Sequence, residues 1–427
     1  MMRFNIKSFF SLFLFVFIII FTKTESLDDY GFKKFEEIND CLSATGKNRI
    51  FKKKVFRNFT EKVLNNFLTI LSEDLYDSSR WFEKEVPFYI NVKESVFNFF
   101  KNAKDEDIES ELIDGYFQNL DNSFFISKTI INKVYDFNNF IIVGDLHGNY
   151  FDFIYIIRKL ISEGILNDQL KLKKNYKILF LGDIVDRGNK SLELILFIFL
   201  LKILNKESVF VLKGNHESYS ISVGYGFGKE LFYKSIDINF FVRLYGKFLC
   251  LFDLLPEAYC FQIDGKNFFF SHGGWNGEFE FKKFLKDSEH NYFKSFSCSS
   301  IMPMSPFLWN DISPFVSKIK RVLGRGICYP SKDILSLMDE YKIEALFKGH
   351  DHCMPKQIEF GEEEGLKLEN LEKPSCGFCE LEKNRIFLII STSIYYPEED
   401  GIIYKPTYAH LKVDEEGDYN CSGVVCN

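Results

Sequence analysis

Between Asn139 and His352 the chain repeats one pattern: a short apolar run stops at or near a glycine and is followed at once by polar, ionisable residues. "NFIIVGDLHGN" ends on Asp145 and His147, and "KILFLGDIVDRG" on Asp183, Asp186 and Arg187. "SVFVLKGNHE" ends on Asn215, His216 and Glu217, "KNFFFSHGGW" presents His272, and "IEALFKGHDH" presents His350 and His352. Short apolar runs bounded by turn residues read as buried strands, and here they alternate with helical stretches. That alternation predicts a layered α/β domain, in which the polar termini gather at the carboxyl ends of the strands. The glycines let the backbone turn sharply where each strand stops.

Before about residue 136 the pattern differs. "FRNFTEKVLNNFLTILSEDL" places Phe59, Val63, Phe67 and Leu71 four apart, one face of an amphipathic helix packed on the main domain. Residues 27–135 therefore read as a helical N-terminal extension, and 136–415 as the catalytic domain. A charged insertion spans 361–384, and a polar, peripheral tail spans 416–427. Residues 1–26 read as a signal peptide: Arg3 and Lys7 precede an apolar run from Phe9 to Phe21 that is short for a bilayer span. An uncleaved anchor is the alternative, and with Arg3 and Lys7 cytosolic it leaves the rest of the chain on the same lumenal side. Either way the expected location is the secretory pathway, with no stable membrane span after cleavage.

Composition narrows the function class. The 427 residues carry a formal net charge of −7, which speaks against a nucleic-acid partner steered by positive charge. The 50 phenylalanines are expected to fill core positions. Ten cysteines in an oxidising lumen permit disulfides whose connectivity is open. Cys376 and Cys379 form a lone CxxC; a zinc ribbon needs a second pair, so a local disulfide is the better expectation. Sequons stand at Asn58, Asn189 and Asn420, the second beside the polar strand ends.

One polar strand end would be an ordinary turn. Five that together supply Asp, His, Asp, Asn, His and His make an oxygen and nitrogen ligand set suited to two adjacent divalent metals, one carboxylate bridging them. Cysteine is absent from it, against a thiolate zinc site.

"GDLHG", "GDIVDRG" and "GNHE" resemble the three signature blocks of the PPP-type phosphoprotein phosphatases, within the calcineurin-like metallophosphoesterases, and "SHGG" and the His350 segment resemble the later metal-binding histidines. The likeness covers about residues 136–415 and extends to the Shewanella-like protein phosphatase branch. It implies a β-sandwich core flanked by helices and two divalent ions, of manganese, iron or zinc. Asp145, His147 and Asp183 would hold one ion; Asp183, Asn215, His272 and His350 would hold the other.

A metal-bridging water would attack the phosphorus. Arg187 and Asn215 would bind phosphate, His216 would protonate the leaving oxygen, and Asp186 would orient His216. "FLWNDISP" followed by "GRGICYPS" resembles the family's tryptophan-Asp block and its late arginine, making Arg325 a phosphate ligand with Arg321 its nearest rival. Tyr395 matches the family's tyrosine-bearing loop by position.

The chain also departs from the pattern. Lys213 replaces an arginine before "GNHE", and Lys348-Gly349-His350-Asp351-His352 replaces an Arg-Ala-His segment. The GHxH arrangement is more like the wider metallophosphoesterases and makes His352 an additional candidate ligand. The substrate implied is a phosphoprotein bearing phosphoserine or phosphothreonine, with phosphotyrosine also open, and whether a regulatory subunit takes part is left open. Two alternatives stay open: a dinucleoside-polyphosphate hydrolase of the same fold, disfavoured by Glu217 where those enzymes tend to place Asp, and a secreted pseudophosphatase that binds phosphoproteins without turnover.

Overall fold

The structure, a computed structural model, describes residues 25–43, 54–76, 123–130, 138–275, 292–295, 305–322, 326–351, 377–392 and 405–426. In chain order its helices are α1 (Phe35–Ser43), α2 (Lys54–Tyr76), α3 (Tyr150–Ser162), α4 (Ser191–Leu204), α5 (Tyr219–Tyr225), α6 (Phe227–Lys234), α7 (Ile238–Leu254), α8 (Pro306–Trp309) and α9 (Ser331–Tyr341). The first strands are β1 (Ser123–Ile130), β2 (Asn138–Val143), β3 (Tyr176–Phe180), β4 (Val209–Val211), β5 (Ala258–Ile263), β6 (Lys266–Ser271), β7 (Tyr292–Ser295) and β8 (Asp311–Ser313). They are followed by β9 (Lys320–Val322), β10 (Gly326–Pro330), β11 (Ile343–Lys348), β12 (Phe378–Glu382), β13 (Ile386–Ile389), β14 (Thr407–Val413) and β15 (Tyr419–Val425).

One sheet runs β15-β14-β2-β3-β4 and a second β12-β13-β11-β6-β5-β1-β7, with a small β8-β10-β9 sheet beside them. Strands β2, β3 and β4 are parallel, as are β6 and β11, so in each sheet neighbouring polar ends emerge on one side. Successive side chains of a strand point to opposite faces. Phe140 and Ile142 of β2 accordingly join Leu179, Phe270 and Phe347 between the two sheets. Ile141 and Val143 face the other way, among Phe153 of α3 and Phe197 of α4. On the far face of the second sheet, Phe269 and Leu346 pack with Ile334 and Met338 of α9. The layers are thus helix, sheet, sheet, helix, which explains why the strands read as continuous apolar runs. The expected sandwich core flanked by helices is present, and phenylalanine fills it.

Helix α4 is buried all round because its second side is covered by the N-terminal helices. Phe67 of α2 stacks on Phe199 at 3.7 Å, and Phe35 of α1 meets Phe197 edge-on. Phe59, Val63, Phe67 and Leu71 form the buried face of α2 that their spacing predicts.

Three segments depart from the expected boundaries. Strand β1, inside the segment read as a helical extension, pairs in parallel with β5 and antiparallel with β7. The tail read as peripheral supplies β15, which pairs with β14 along its whole length. Part of the charged insertion forms β12, antiparallel to β13. All three lie at or near sheet margins, where polar residues are tolerated and the apolar signature fades. The β14–β15 turn does carry a local signal: Asp414 accepts the Asp418 N–H, and Gly417 takes a left-handed φ of 74°. The expected local disulfide involves Cys376, which lies outside the described residues. Residues 1–24 of the expected 1–26 signal segment also lie outside them. Among the described residues no helix is long and apolar enough to cross a membrane.

Candidate active site

The polar ends of β2, β3 and β4 from one sheet meet those of β6 and β11 from the other. Asp145, His147, Asp183, Asp186, Asn215, His216, His272 and His350 are all buried there. The backbone is held in an unusual shape to achieve this. His147, Asp183, Asp186, Arg187 and His350 adopt left-handed φ values of 44°, 50°, 74°, 62° and 68°. Such residues persist only where the surroundings over-determine them.

The surroundings do so here. Leu146 and His147 both donate their backbone N–H to the Asp183 carbonyl, at 3.0 and 2.9 Å. The buried Glu217 carboxylate accepts the N–H groups of Asp183, Ile184, Val185 and Gly214, at 2.8 to 3.2 Å. Glycine is required at 182, because a Cβ there would lie 2.3 Å from the Gly214 nitrogen. Glu217 therefore ties the β3 and β4 loops together, a role its place in "GNHE" does not disclose.

Two histidines are oriented by backbone carbonyls. His147 Nδ1 donates to the Val185 carbonyl at 3.1 Å, and His272 Nδ1 to the Leu181 carbonyl at 3.0 Å. A carbonyl can only accept, so each ring carries a proton on Nδ1 and turns Nε2 inward, as metal-binding histidines do. His147 Nε2 lies 3.5 Å from Asp183 Oδ2 and 3.9 Å from Asp145 Oδ2. His272 Nε2 lies 3.2 Å from Asp183 Oδ2 and 3.1 Å from Asn215 Oδ1. The ligand atoms of His147, Asp183 and His216 lie within 4.8 Å of one another, and so do those of Asp183, His272 and His350; Asp183 is common to both groups.

Burial alone would raise the Asp183 carboxyl, but the charges of His272, His216 and His147 hold it well below the usual carboxylate range. Asp145 is pushed up to about 6 by burial, with Asp183 adding to the shift and His272 opposing it. Burial lowers His147 well below its ordinary value, helped by the Arg187 and His216 charges, so its Nε2 offers a lone pair. At His272 burial is outweighed by Asp183, Asp145 and Glu217, which raise its pKa. The Asn215 oxygen is also 3.0 Å from both Asp183 oxygens; the reversed amide would donate to them, whereas the oxygen as placed joins lone pairs converging on one region. These nitrogen and oxygen donors fit divalent ions.

Beside the cluster, His216 Nδ1 bonds Asp186 Oδ2 at 2.7 Å, and its Nε2 lies 3.5 Å from Arg187 Nη2. Burial raises the Asp186 carboxyl against the pull of His216. The other Asp186 oxygen accepts the Phe227 N–H at 2.8 Å, and the Arg187 N–H donates to the Tyr225 carbonyl at 3.0 Å. Since Asp186 engages Nδ1, the His216 Nε2 is the nitrogen available to a reacting group.

Asp145, His147, Asp183, Asp186, Arg187, Asn215, His216, His272 and His350 are therefore brought together. Arg325, His352 and Tyr395 lie outside the described residues. Arg321, the rival to Arg325, is exposed on β9. Two residues escaped sequence reasoning. Asp311, buried at the start of β8, places Oδ1 3.8 Å from His350 Nε2; the "WND" block containing it was the available signal. Tyr225, half-exposed, sets its ring 5.2 Å from the His216 ring, and no local pattern marks it.

A family model described as calcineurin-like phosphoesterase matches residues 139–354, the span that contains these strand ends. The serine/threonine-protein phosphatase PP2A-like PPG1 of Candida albicans is 31% identical over 216 residues, covering 50% of this chain and 46% of that protein. The chain thus spans about half the length of that relative. Among solved structures, a Saccharomyces cerevisiae serine/threonine phosphatase with similarity to human phosphatase PP5 superposes with a TM-score of 0.50, covering 85% of this chain and 96% of that one. At 18% identity this likeness shows the fold. A cold-active protein-tyrosine phosphatase of a Shewanella species matches with a TM-score of 0.41 at 12% identity, over 69% of this chain and 81% of that one. On the match across residues 139–354, the chain belongs to the calcineurin-like phosphoesterases.

Proposed function

We propose that the protein is a two-metal phosphoprotein phosphatase that hydrolyses phosphoserine and phosphothreonine monoesters by direct attack of water. The observation that carries this reading is the pair of donor groups, His147–Asp183–His216 and Asp183–His272–His350, that share Asp183, with His216 also bonded to Asp186 and adjacent to Arg187. Asp145, His147 and Asp183 would hold one divalent ion, and Asp183, Asn215, His272 and His350 the other. When bound, the ions would supply positive charge against the phosphoryl oxygens and lower the pKa of a water from about 15.7 towards about 7.

The chain's own groups supply the rest. Arg187 offers a planar fork to phosphoryl oxygens, a charge-assisted, bidentate contact. His216 gives a proton from Nε2 to the leaving oxygen, a general-acid contribution of about 10²–10⁴-fold. Asp186 holds the ring by Nδ1 and stabilises the imidazolium between turnovers. No covalent phosphoenzyme is required. The basic-then-apolar stretch from Arg3 to Phe21 supports placing this chemistry in the secretory pathway.

Asp183→Asn should lower manganese-dependent hydrolysis of phosphoserine and phosphothreonine peptides by at least ~10³-fold and reduce bound metal, because one side chain serves both ligand groups. Phosphotyrosine peptides and a dinucleoside polyphosphate, assayed beside them, would define the substrate class. A folded, metal-loaded wild type that hydrolyses no phosphopeptide would refute the reading.

A further inference from the structure

A second group of buried charges lies away from the ligand groups. Lys234, the last residue of α6, has its side chain 4% exposed and donates to Glu193 Oε2 at 2.6 Å and to Glu230 Oε1 at 2.7 Å. It also reaches the Asn189 carbonyl at 3.5 Å. Glu230 in turn accepts the N–H groups of Ser191 and Leu192 at 3.0 and 2.9 Å. Those are the first N–H groups of α4, which no carbonyl within the helix can satisfy. On the other side of the same loop, Lys190 reaches the Leu42 and Ser43 carbonyls at the end of α1, each at 3.4 Å.

The loop held in this way is the one that presents the proposed phosphate ligand. At its upstream end Asp186 and Arg187 are fastened to Phe227 and Tyr225, at the start of α6 and the end of α5. At its downstream end residues 189 to 193 are fastened to Glu230 and Lys234. Helix α6 thus grips both ends of a turn whose first two residues, Asp186 and Arg187, sit in the left-handed region. Buried ion clusters often contribute little net stability compared with an apolar filling. What this one provides is direction: two carboxylates and one ammonium hold three backbone positions in one arrangement.

We infer that Lys234, together with Glu193 and Glu230, is a positioning network that keeps the Asp186–Lys190 turn in the shape that presents Arg187 to phosphate. This rests on the phosphatase reading only in naming phosphate as what Arg187 meets. A shift of about 1 Å in a positioning element can cost about 10²-fold, so the effect is measurable.

The test uses the full chain loaded with manganese, with inorganic phosphate affinity measured by calorimetry and kcat and KM measured on a phosphoserine peptide. Lys234→Met should raise the phosphate dissociation constant and KM by about fivefold or more, and Lys234→Arg should return both to within about twofold of wild type. Bound metal should stay constant, because the network touches none of the proposed ligands. Should Lys234→Met fail to fold, Glu230→Gln serves in its place. It keeps side-chain size while weakening the grip on Ser191 and Leu192, and should raise phosphate dissociation about threefold. Folded variants with unchanged phosphate affinity and KM would overturn the inference. Phosphate binding is read without turnover, so absence of hydrolysis by the wild type would count against the phosphatase reading alone.

Discussion

Near the carboxyl ends of β6 and β11, Phe270 and Phe347 stack at 4.8 Å, and Phe347 stacks in turn on Phe387 of β13 at 4.9 Å. A few residues further on, the same two strands deliver His272 and His350 into a cluster of buried carboxylates. The interior portion follows ordinary rules of burial: each apolar side chain contributes about 1.5–3 kcal/mol by leaving water, and none needs a specific partner. The end portion breaks those rules. It buries charges, holds residues at positive φ, and depends on particular hydrogen bonds for its shape. The stable stretch supports the costly one, and the division falls where each strand ends.

Three substitutions would test that division, beginning with the largest effect. His216→Asn removes the proposed acid while leaving the backbone bond from residue 216 to Asp183 in place. It should reduce kcat by about 10²–10⁴-fold with little change in thermal midpoint. A kcat within threefold or so of wild type would remove His216 from the chemistry. Phe347→Ala should do the reverse. Losing a ring from the stack should cost about 3–5 kcal/mol in denaturant unfolding while the surviving folded protein keeps its metal affinity. If metal affinity fell in parallel, the interior and the ends would not be separable. Glu217→Gln lies between the two cases, since Glu217 is buried scaffold bonded directly to the loop that carries Asp183. It should cost about 1–3 kcal/mol of stability and also weaken metal binding, because one of its acceptors becomes a donor facing N–H groups. Loss of stability with unchanged metal binding would make Glu217 part of the interior.

Much of this was legible in the linear chain. Short apolar runs ending on Asp, His and Asn predicted both the layered fold and the side chains that meet, because a strand buried on both faces and a ligand at its end each leave a local mark. The amphipathic spacing of Phe59, Val63, Phe67 and Leu71 likewise predicted the buried face of α2. The edge strands β12 and β15 were not legible, since none of their positions is fully buried and the composition resembles a loop. The partnership of Asp311 with His350 was hidden for another reason. An aspartate before a short strand looks the same whether it faces solvent or a histidine 39 positions away.

By itself the sequence determined which chemistry was available: nitrogen and oxygen donors at five strand ends, an aspartate and a histidine within "VDRG" and "GNHE", and a core filled by phenylalanine. Those properties depend on residue type and short spacing, which a linear chain carries in full. Only the tertiary structure decided that Asp183 stands where both ligand groups meet, and that Glu217 binds two loops. It also brought Lys234 of α6 against Glu193 of α4 to hold the arginine turn. Each of these is a contact between distant segments, set by how the sheets and helices pack and by which buried charges then require a partner.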